Sequence, residues 1–150
     1  MKSITIRESN ASELTEFAAL EQQNHASPFI NQLSLAEHRN LFDEPLVIYL
    51  TVVSSINSIA GYFIIALDAD KTTAEFRRVV IHERHLGIGQ QAIGQMEQYC
   101  RNKLNCSAIW LDVYQDNAKG IHIYEKLGYQ FDRSEAVGER VLRYYSKRLS

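Results

Sequence analysis

The sequence predicts an α+β fold in which strands and helices are mixed along one chain. Short stretches that alternate polar and apolar residues, or are rich in β-branched residues, indicate strands. Stretches with apolar residues every three or four positions indicate helices. Read in order, they give β-α-α-β-β-β-α-β-α-β-β. The 150 residues suit one compact domain over residues 1–150.

Capping signals place the first two helices. Asn10 precedes Glu13 by three residues, and Ser34 precedes Glu37 by three, so each pair predicts a capping box at a helix start. Two β-rich runs joined by a turn at residues 55–58 should form a hairpin. In this half the predicted helices cover residues 10–23 and 34–42, with a loop at 25–33, and the predicted strands cover 3–8, 47–53, 59–67 and 73–81.

The second half alternates between helices and strands and should end in a hairpin. Apolar residues at helical spacing give the first helix of this half one face toward the core. The predicted helices cover residues 90–104 and 118–127, and the predicted strands cover 108–114, 129–132 and 140–147. The last of these strands alternates, and it could pair across a dimer or simply end the sheet, so a monomer and a homodimer both stay open.

Composition narrows the class of protein. A net charge of −2 with no basic stripe argues against a nucleic-acid partner. The sequence shows neither an apolar run long enough for a bilayer nor a signal-peptide core, so we expect no membrane partner and a cytoplasmic location. Cys100 and Cys106 form no CxxC motif and fit reduced thiols. His82 and His85 lack further ligands at useful spacing, so no metal site is expected.

A glycine-containing turn between a strand and a helix is the most informative feature of the chain. It reads Arg84-His85-Leu86-Gly87-Ile88-Gly89. Such a turn directs several backbone N–H groups to one point and adds the positive end of a helix dipole. The glycines permit a tight turn and let a ligand approach without a Cβ in the way. The turn therefore suits a phosphate or a pyrophosphate.

Two kinds of ligand compete for this turn. From Gly87 to Ala92 the chain spells G-x-G-x-x-A, the dinucleotide fingerprint, and Asp112 could serve as the ribose-binding acid. However, residues 82–86 separate the strand from the first glycine, and the motif lies in the second half of the chain. Too little sequence follows to complete a doubly wound sheet. These observations argue against NAD as the ligand.

A second pattern resembles the GNAT acetyltransferase superfamily. The spacing Arg84-x-x-Gly87-x-Gly89 is similar to its Q/R-x-x-G-x-G/A pyrophosphate loop. Downstream, Asn117 is followed seven residues later by Tyr124, and then by the pair Gly128-Tyr129, as in the second signature of the superfamily. The similarity covers residues 75–129 and is greatest to the ribosomal-protein alanine and polyamine acetyltransferase branches.

This resemblance implies both a fold and a cofactor. The fold is a twisted, mostly antiparallel sheet of about seven strands, flanked by about four helices on both faces. The helix from Gly89 forms the crossover between two parallel strands. In the superfamily these two strands separate, and acetyl-CoA, the acetyl donor, enters the gap.

The resemblance also implies which residues bind acetyl-CoA. It assigns the strand edge that bonds the pantetheine arm to Val79, Val80 and Ile81. It assigns the pyrophosphate cradle to Arg84, His85, Leu86, Gly87, Ile88 and Gly89, mostly through main-chain contacts. Asn117 would contact the pantetheine arm, although Asn also serves well as a helix N-cap. Tyr124 would donate a proton to the CoA sulfur, whereas Tyr114, Tyr129, Tyr144 and Tyr145 are expected to be packing residues.

The general base is left open by the sequence. Strand alternation would place Glu75, Arg77 and Val79 on one face, so that Glu75 shares the cleft side with Val79. Glu75 could act as the base or simply pair with Arg77, and Asp112 or a water chain are alternatives. Acceptor contacts are expected from residues 22–45 and 130–140, which carry Phe29, His38, Asp43, Glu44, Asp132 and Glu135. For His25 and His38 we expect a surface position.

These observations predict an acetyl-CoA-dependent N-acetyltransferase. The acceptor would be a primary amine, such as a peptide N-terminus, a polyamine or another small amine. Cys100 lies on an apolar helix stripe rather than near a cleft, so direct transfer in a ternary complex is expected in place of an acetyl-cysteine. The alternative is a non-catalytic acyl-CoA-binding module.

Overall fold

The computed structural model describes residues 3–23, 32–82 and 87–150. Within these residues the chain forms seven strands and four α-helices in the predicted order, with a short 3₁₀ turn before the first helix. The strands are β1 (Ile4–Glu8), β2 (Val47–Ser54), β3 (Ile59–Leu67), β4 (Thr73–Ile81), β5 (Ala108–Tyr114), β6 (Gln130–Val137) and β7 (Arg140–Arg148). The helices are α1 (Leu14–Gln23), α2 (Leu35–Phe42), α3 (Gly89–Asn102) and α4 (Ala118–Lys126).

The seven strands form one sheet in the order β1-β2-β3-β4-β5-β7-β6. Every neighbouring pair is antiparallel except β4 and β5, which are parallel because α3 carries the chain back between them. The predicted mixed and mostly antiparallel sheet is therefore confirmed, as is the crossover by the helix that begins at Gly89.

Helices cover both faces of the sheet, as predicted. Leu14, Phe17 and Leu20 of α1 pack with side chains of β2, β3 and β4 on one face, which we call the α1–α2 face. Ala92, Ile93 and Met96 of α3 pack on the opposite face, the α3–α4 face, with the larger part of the core. Partly buried apolar residues of α4 complete that second cluster.

Both predicted capping boxes are present. The N–H of Asn10 donates to Oε1 of Glu13 at 2.8 Å, at the start of the 3₁₀ turn that leads into α1. The N–H of Glu37 donates to Oγ of Ser34 at 3.1 Å, and the N–H of Ser34 donates to Oε1 of Glu37 at 2.9 Å. Each box supplies partners for main-chain donors that a helix start leaves free.

A β-bulge at Arg77 overturns the predicted face of Glu75. In the β3–β4 ladder Ile64 pairs with Arg78 and Ile65 pairs with Phe76, so Arg77 is an extra residue that reverses the alternation. Before the bulge, Phe76 lies in the core of the α3–α4 face, and Glu75 therefore points to the α1–α2 face. After the bulge, Val79 packs against the α3–α4 core. Glu75 and Val79 are thus on opposite faces.

The terminal hairpin is longer than the sequence indicates. The prediction ended the first strand at residue 132, but β6 continues to Val137. A second bulge, at Asp132, separates the pair Phe131–Tyr145 from the pair Arg133–Tyr144, and the ladder resumes after it. Every residue of β6 is exposed, which is why it lacks the hydrophobic alternation used to predict strands.

No helix within the described parts of the chain is long and apolar enough to cross a membrane.

Candidate active site

A wedge-shaped gap opens between the two parallel strands. β4 and β5 pair at Thr73–Ala108, Ala74–Ile109 and Glu75–Trp110, and their ladder ends there. Beyond that point β4 continues to pair with β3, and β5 with β7, so each keeps one neighbour and loses the other. The main-chain groups on the facing edges are therefore available to a ligand, since buried backbone donors and acceptors need partners.

Val79, Val80 and Ile81 lie on the part of β4 that borders this gap. They pair with Phe63, Tyr62 and Gly61 of β3 on their other edge. Their side chains are held by the two cores, because Val80 is buried against α1 and Ile81 is buried on the α3–α4 face. The strand edge predicted to bond pantetheine is thus fixed in place from both sides of the sheet.

The glycine turn lies at the start of α3. Arg84, His85 and Leu86 fall outside the described residues, whereas Gly87, Ile88 and Gly89 fall within them. Ile88 is buried in the core and anchors the turn. A Cβ added at Gly87 or Gly89 would meet no atom of the described residues within 4 Å, and neither glycine has a positive φ. Both glycines therefore leave open space for a ligand, and neither is required by a left-handed turn.

Asn117 and Tyr124 are both carried by α4. Asn117 is the N-cap, because its Oδ1 accepts a hydrogen bond from the N–H of Gly120 at 3.0 Å. Tyr124 lies seven residues later, which brings it to the same side of the helix. Its ring packs edge-on against Phe76 of β4, with centroids 5.9 Å apart, and against Tyr129 at 6.0 Å. The helix thereby brings the phenol of Tyr124 to β4.

The phenol of Tyr124 is in an environment that keeps it protonated. Burial raises the pKa of Tyr124, and the negative charge of Asp112 raises it further. None of the described residues hydrogen bonds to its hydroxyl group. A protonated hydroxyl that has no acceptor among the described residues is in the state that a proton donor requires before it meets its substrate.

Two carboxylates lie on the other face of the sheet, beside the base of the wedge. Ile109, Leu111 and Val113 fill the α3–α4 core, so Asp112, between them on β5, points to the α1–α2 face with Glu75. Solvent reaches Asp112, yet the surrounding protein removes enough water to raise its pKa, and the charge of Glu75 raises it further. None of the described residues forms an ion pair or a hydrogen bond with Asp112.

Glu75 forms the ion pair with Arg77 that the sequence left open as an alternative to a catalytic role. Nε of Arg77 donates to Oε1 of Glu75 at 2.9 Å, and the side chain of Arg77 is 41% exposed. The positive charge of Arg77 also acts on Asp112 and lowers its pKa, against the larger effects of burial and Glu75.

Aromatic side chains flank these carboxylates, and the sequence did not single them out for this position. Trp110 lies 6.1 Å from Tyr144 between ring centroids, and Tyr144 is the cross-strand neighbour of Asp112. The hydroxyl of Tyr144 donates to Glu135 at 3.4 Å, and the guanidinium of Arg133 lies 4.1 Å from the centre of its ring. Tyr144 therefore connects the wedge to the terminal hairpin.

A buried polar network under α1 and α2 corrects the predicted surface position of His38. His38 is fully buried, and its Nε2 contacts a carboxylate oxygen of Glu21 while its Nδ1 lies 2.7 Å from the hydroxyl of Tyr49. The hydroxyl of Tyr62 donates to Glu21 at 2.6 Å, and the guanidinium of Arg78 pairs with the other oxygen of Glu21. Both ring nitrogens of His38 therefore have a hydrogen-bond partner in this network.

The sequence does carry a signal for this network. Glu21 lies seven residues after Leu14 and four after Phe17, so it occupies the apolar stripe of its helix. His38 lies three residues after Leu35 and four before Phe42, on the apolar stripe of α2. A charged or polar residue on such a stripe predicts a buried group with a partner, because an unpaired one would be costly.

A strand pair that separates beside a glycine turn, with a tyrosine on the following helix, is the arrangement that the resemblance implied for an acyl-CoA site. Residues 10–129 match the sequence model of the Acetyltransferase (GNAT) family. The chain therefore belongs to the GNAT acetyltransferase family, whose members take the acetyl group from acetyl-CoA. The match ends before β6, so the terminal hairpin lies outside it. A comparison with curated protein sequences gave no match.

Solved structures with the same fold are numerous. A spermidine N-acetyltransferase from Vibrio cholerae, in complex with CoA and spermine, has a TM-score of 0.81 at 18% identity, over 97% of this chain and 95% of that one. The N152L mutant of SpeG from Vibrio cholerae has a TM-score of 0.80 at 19% identity, over 97% and 93%. A protein provisionally described as a phosphinothricin N-acetyltransferase has 0.81 at 18%, over 99% of both chains. At these identities the likeness establishes the fold.

Proposed function

We propose that this enzyme transfers an acetyl group from acetyl-CoA directly to a primary amine, with both substrates bound together. The observation that carries the proposal is the wedge between β4 and β5, which has a protonated phenol on one face of the sheet and two carboxylates on the other. A thioester in the wedge would have its sulfur toward Tyr124 and its carbonyl carbon accessible from the α1–α2 face.

Tyr124 is proposed as the proton donor to the CoA sulfur. The departing thiolate benefits from a proton, and a positioned acid can contribute about 100-fold or more to such a step. Its raised pKa keeps the phenol neutral at physiological pH. Val79, Val80 and Ile81 are proposed to hold the pantetheine arm through their main chain, with Asn117 at its side. The turn from Arg84 to Gly89 is proposed to hold the pyrophosphate.

The acceptor amine must lose a proton before it attacks, because an alkylammonium has a pKa of about 10 in water. Glu75 is proposed to receive this proton directly or through water, and Asp112 is the second candidate. Asp112 has the advantage of a raised pKa and of no protein partner within the described residues, while Glu75 must first exchange its pairing with Arg77. Replacing each carboxylate in turn distinguishes them.

The state of the cysteines supports direct transfer rather than an acetyl-cysteine intermediate. Cys100 is fully buried on α3, and burial raises its pKa to about 12. Cys106 is buried as well, and its pKa is raised for the same reason. A nucleophilic cysteine needs a lowered pKa and access to the substrate, and neither thiol has them.

The acceptor is proposed to be a cationic amine, either a polyamine, a peptide N-terminus or another small amine. Asp112 and Glu75 give the α1–α2 side of the wedge a negative charge, and the rings of Trp110 and Tyr144 beside them suit a cation. Spermidine N-acetyltransferase is among the proteins that share the fold, which supports a polyamine as the first acceptor to examine.

The test combines ligand binding with turnover. Acetyl-CoA at 100 times its dissociation constant should stabilise the protein by about 2.7 kcal/mol and raise its unfolding midpoint by several degrees, whereas NAD should not. Release of free thiol should then depend on an added amine. Tyr124→Phe should lower kcat about 100-fold while acetyl-CoA still stabilises the protein. Tyr99→Phe, which removes a phenol hydroxyl elsewhere on the α3–α4 face, is the matched control.

The same assay separates the candidate bases and the alternative function. We compare the profiles of kcat/KM against pH for Glu75→Gln and Asp112→Asn. The variant that lacks the true base should lose the acidic limb of its profile, and the other variant should keep it. A non-catalytic acyl-CoA-binding module would show stabilisation by acetyl-CoA and no thiol release with any amine. Unchanged kcat in Tyr124→Phe would remove Tyr124 from the mechanism.

A further inference from the structure

β6 is an edge strand that the rest of the described fold leaves uncovered. It ends the sheet beyond β7, and all eight of its residues are exposed. Of the three large apolar side chains that are exposed in the described parts of the chain, two lie here: Phe131 at 51% and Val137 at 45%. The opposite edge, β1, differs because α3 packs beside it and Gln95 of α3 donates a hydrogen bond to the Ile4 carbonyl at 2.9 Å.

The side chains along β6 are arranged so that the strand is complementary to a second, antiparallel copy of itself. Apolar residues lie near both ends, a base and an acid flank the centre, and the centre is Ser134. An antiparallel pair of identical strands related by a two-fold axis at Ser134 would set Arg133 of each copy opposite Glu135 of the other. Both side chains point to the α1–α2 face, since their β7 partners, Tyr144 and Leu142, alternate with the buried Tyr145.

The bulge at Asp132 keeps the ends of the two strands in phase. Phe131 shares the α3–α4 face with Tyr145, whose ring lies 5.8 Å away, and Ala136 lies on the same face as its partner Val141. With Asp132 bulged out, the two-fold pairing brings Phe131 of one copy beside Ala136 of the other. The pairing would cover the exposed apolar side chains of β6 and its unpaired main-chain groups at the same time.

We propose that two copies of this chain form a homodimer by antiparallel pairing of their β6 strands about Ser134. The ion pair that Arg133 makes with Asp132 within one chain does not oppose this, because both side chains are about 60% exposed and such pairs contribute little. The interface joins two edges rather than two large faces, so the dimer should dissociate on dilution. It does not depend on the reaction proposed above.

Charge reversal tests the pairing, and its readout is the oligomeric state rather than activity, because Arg133 and Glu135 both contact Tyr144. Arg133→Glu puts two acidic side chains opposite each other on both sides of the two-fold axis, and Glu135→Arg puts two basic side chains there. Each variant should therefore be monomeric at concentrations where the wild type is dimeric. An equimolar mixture of the two variants should form a heterodimer, and the double variant should recover the homodimer. Arg101→Glu, an equal charge change on an exposed residue of α3, is the control and should stay dimeric.

Sedimentation velocity over a dilution series gives the readout, with circular dichroism to confirm that each variant is folded. A wild type that stays monomeric at every concentration overturns the proposal, and so does a dimer that survives both single reversals. Loss of the dimer in both single variants without recovery in their mixture also overturns it. Recovery in the mixture supports it and excludes misfolding, because a misfolded chain cannot complement another.

Discussion

On one face of the sheet, α3 and α4 pack through an almost purely apolar core. On the other, α1 and α2 enclose a network of charged and polar side chains centred on Glu21. Two adjacent residues of β3 contribute to opposite faces. Phe63 points to the α3–α4 face, where its ring lies 5.6 Å from that of Phe76. Tyr62 points to the α1–α2 face and donates a hydrogen bond to Glu21. Both residues are fully buried.

Each face is specified by a different kind of interaction. Apolar packing on the α3–α4 face depends on shape and volume and has little direction, so it stabilises without selecting one arrangement strictly. The network on the α1–α2 face requires every partner to be in place, because a buried charge without a partner is costly. The two faces should therefore respond differently to mutation and to pH.

The largest loss of stability is expected from Phe63→Ala. Removing a fully buried ring from the α3–α4 core leaves a cavity beside Phe76 and should lower the free energy of unfolding by about 4 kcal/mol. Urea unfolding followed by circular dichroism measures it. Ile56→Ala, at a side chain that is 80% exposed, is the control and should leave stability nearly unchanged. A cost near that of the control would mean that this core is loosely packed.

A somewhat smaller loss is expected from Glu21→Gln on the other face. The substitution keeps the shape but leaves Arg78 without its countercharge, and we expect a cost of about 3 kcal/mol, moderated because Arg78 is 15% exposed and can reach water. Tyr62→Phe removes one hydrogen bond to Glu21 and keeps the charge, so it should cost about 2 kcal/mol. A larger cost for Tyr62→Phe than for Glu21→Gln would contradict the central role of the carboxylate.

The smallest expected effect is a difference between the two faces in how the stability of their variants depends on pH. Burial alone would raise the pKa of Glu21, but hydrogen bonds from His38 and Tyr62 and the charge of Arg78 outweigh it, so the pKa is lowered in the folded protein. A lowered pKa stabilises the fold above the ordinary value of 4.5, and that contribution is lost as the pH falls through the folded pKa.

The stability difference between wild type and Glu21→Gln should therefore shrink as the pH falls from about 7 to about 3.5, whereas the difference for Phe63→Ala should stay constant. Unfolding free energies across this pH range provide the measurement. A Glu21→Gln difference that does not change with pH would show that the network is not held by the ionised carboxylate.

Most of the fold could be predicted from the sequence because local signals and global topology agree. The capping boxes at Asn10 and Ser34 and the periodicity of each segment identified all of the elements in order. The face of Glu75 could not be predicted, because one inserted residue, Arg77, reverses the alternation and leaves no local mark. The extent of β6 was missed because an exposed strand has no hydrophobic pattern.

The candidate site divides in the same way. Gly87, Gly89 and Tyr124 were predicted from their spacing and its resemblance to the family pattern, and a main-chain cradle needs few side chains to be recognised. Which side chains lie together beside the wedge depends on strand register, and register is a tertiary property. Trp110 and Tyr144 therefore emerged from the pairing of β5 with β7.

The separation of β4 from β5 gives the sheet a third edge, enclosed within the molecule. β1 and β6 end the sheet at its rim, and at β6 an extended chain from outside can approach along the whole strand. The inner edges face each other across a space that narrows to the Glu75–Trp110 pair, so a whole polypeptide strand with its side chains has no room at the base. Unpaired main-chain groups at an outer edge of a sheet favour aggregation. The same groups at this inner edge can be reached only by a molecule narrow enough to enter the gap.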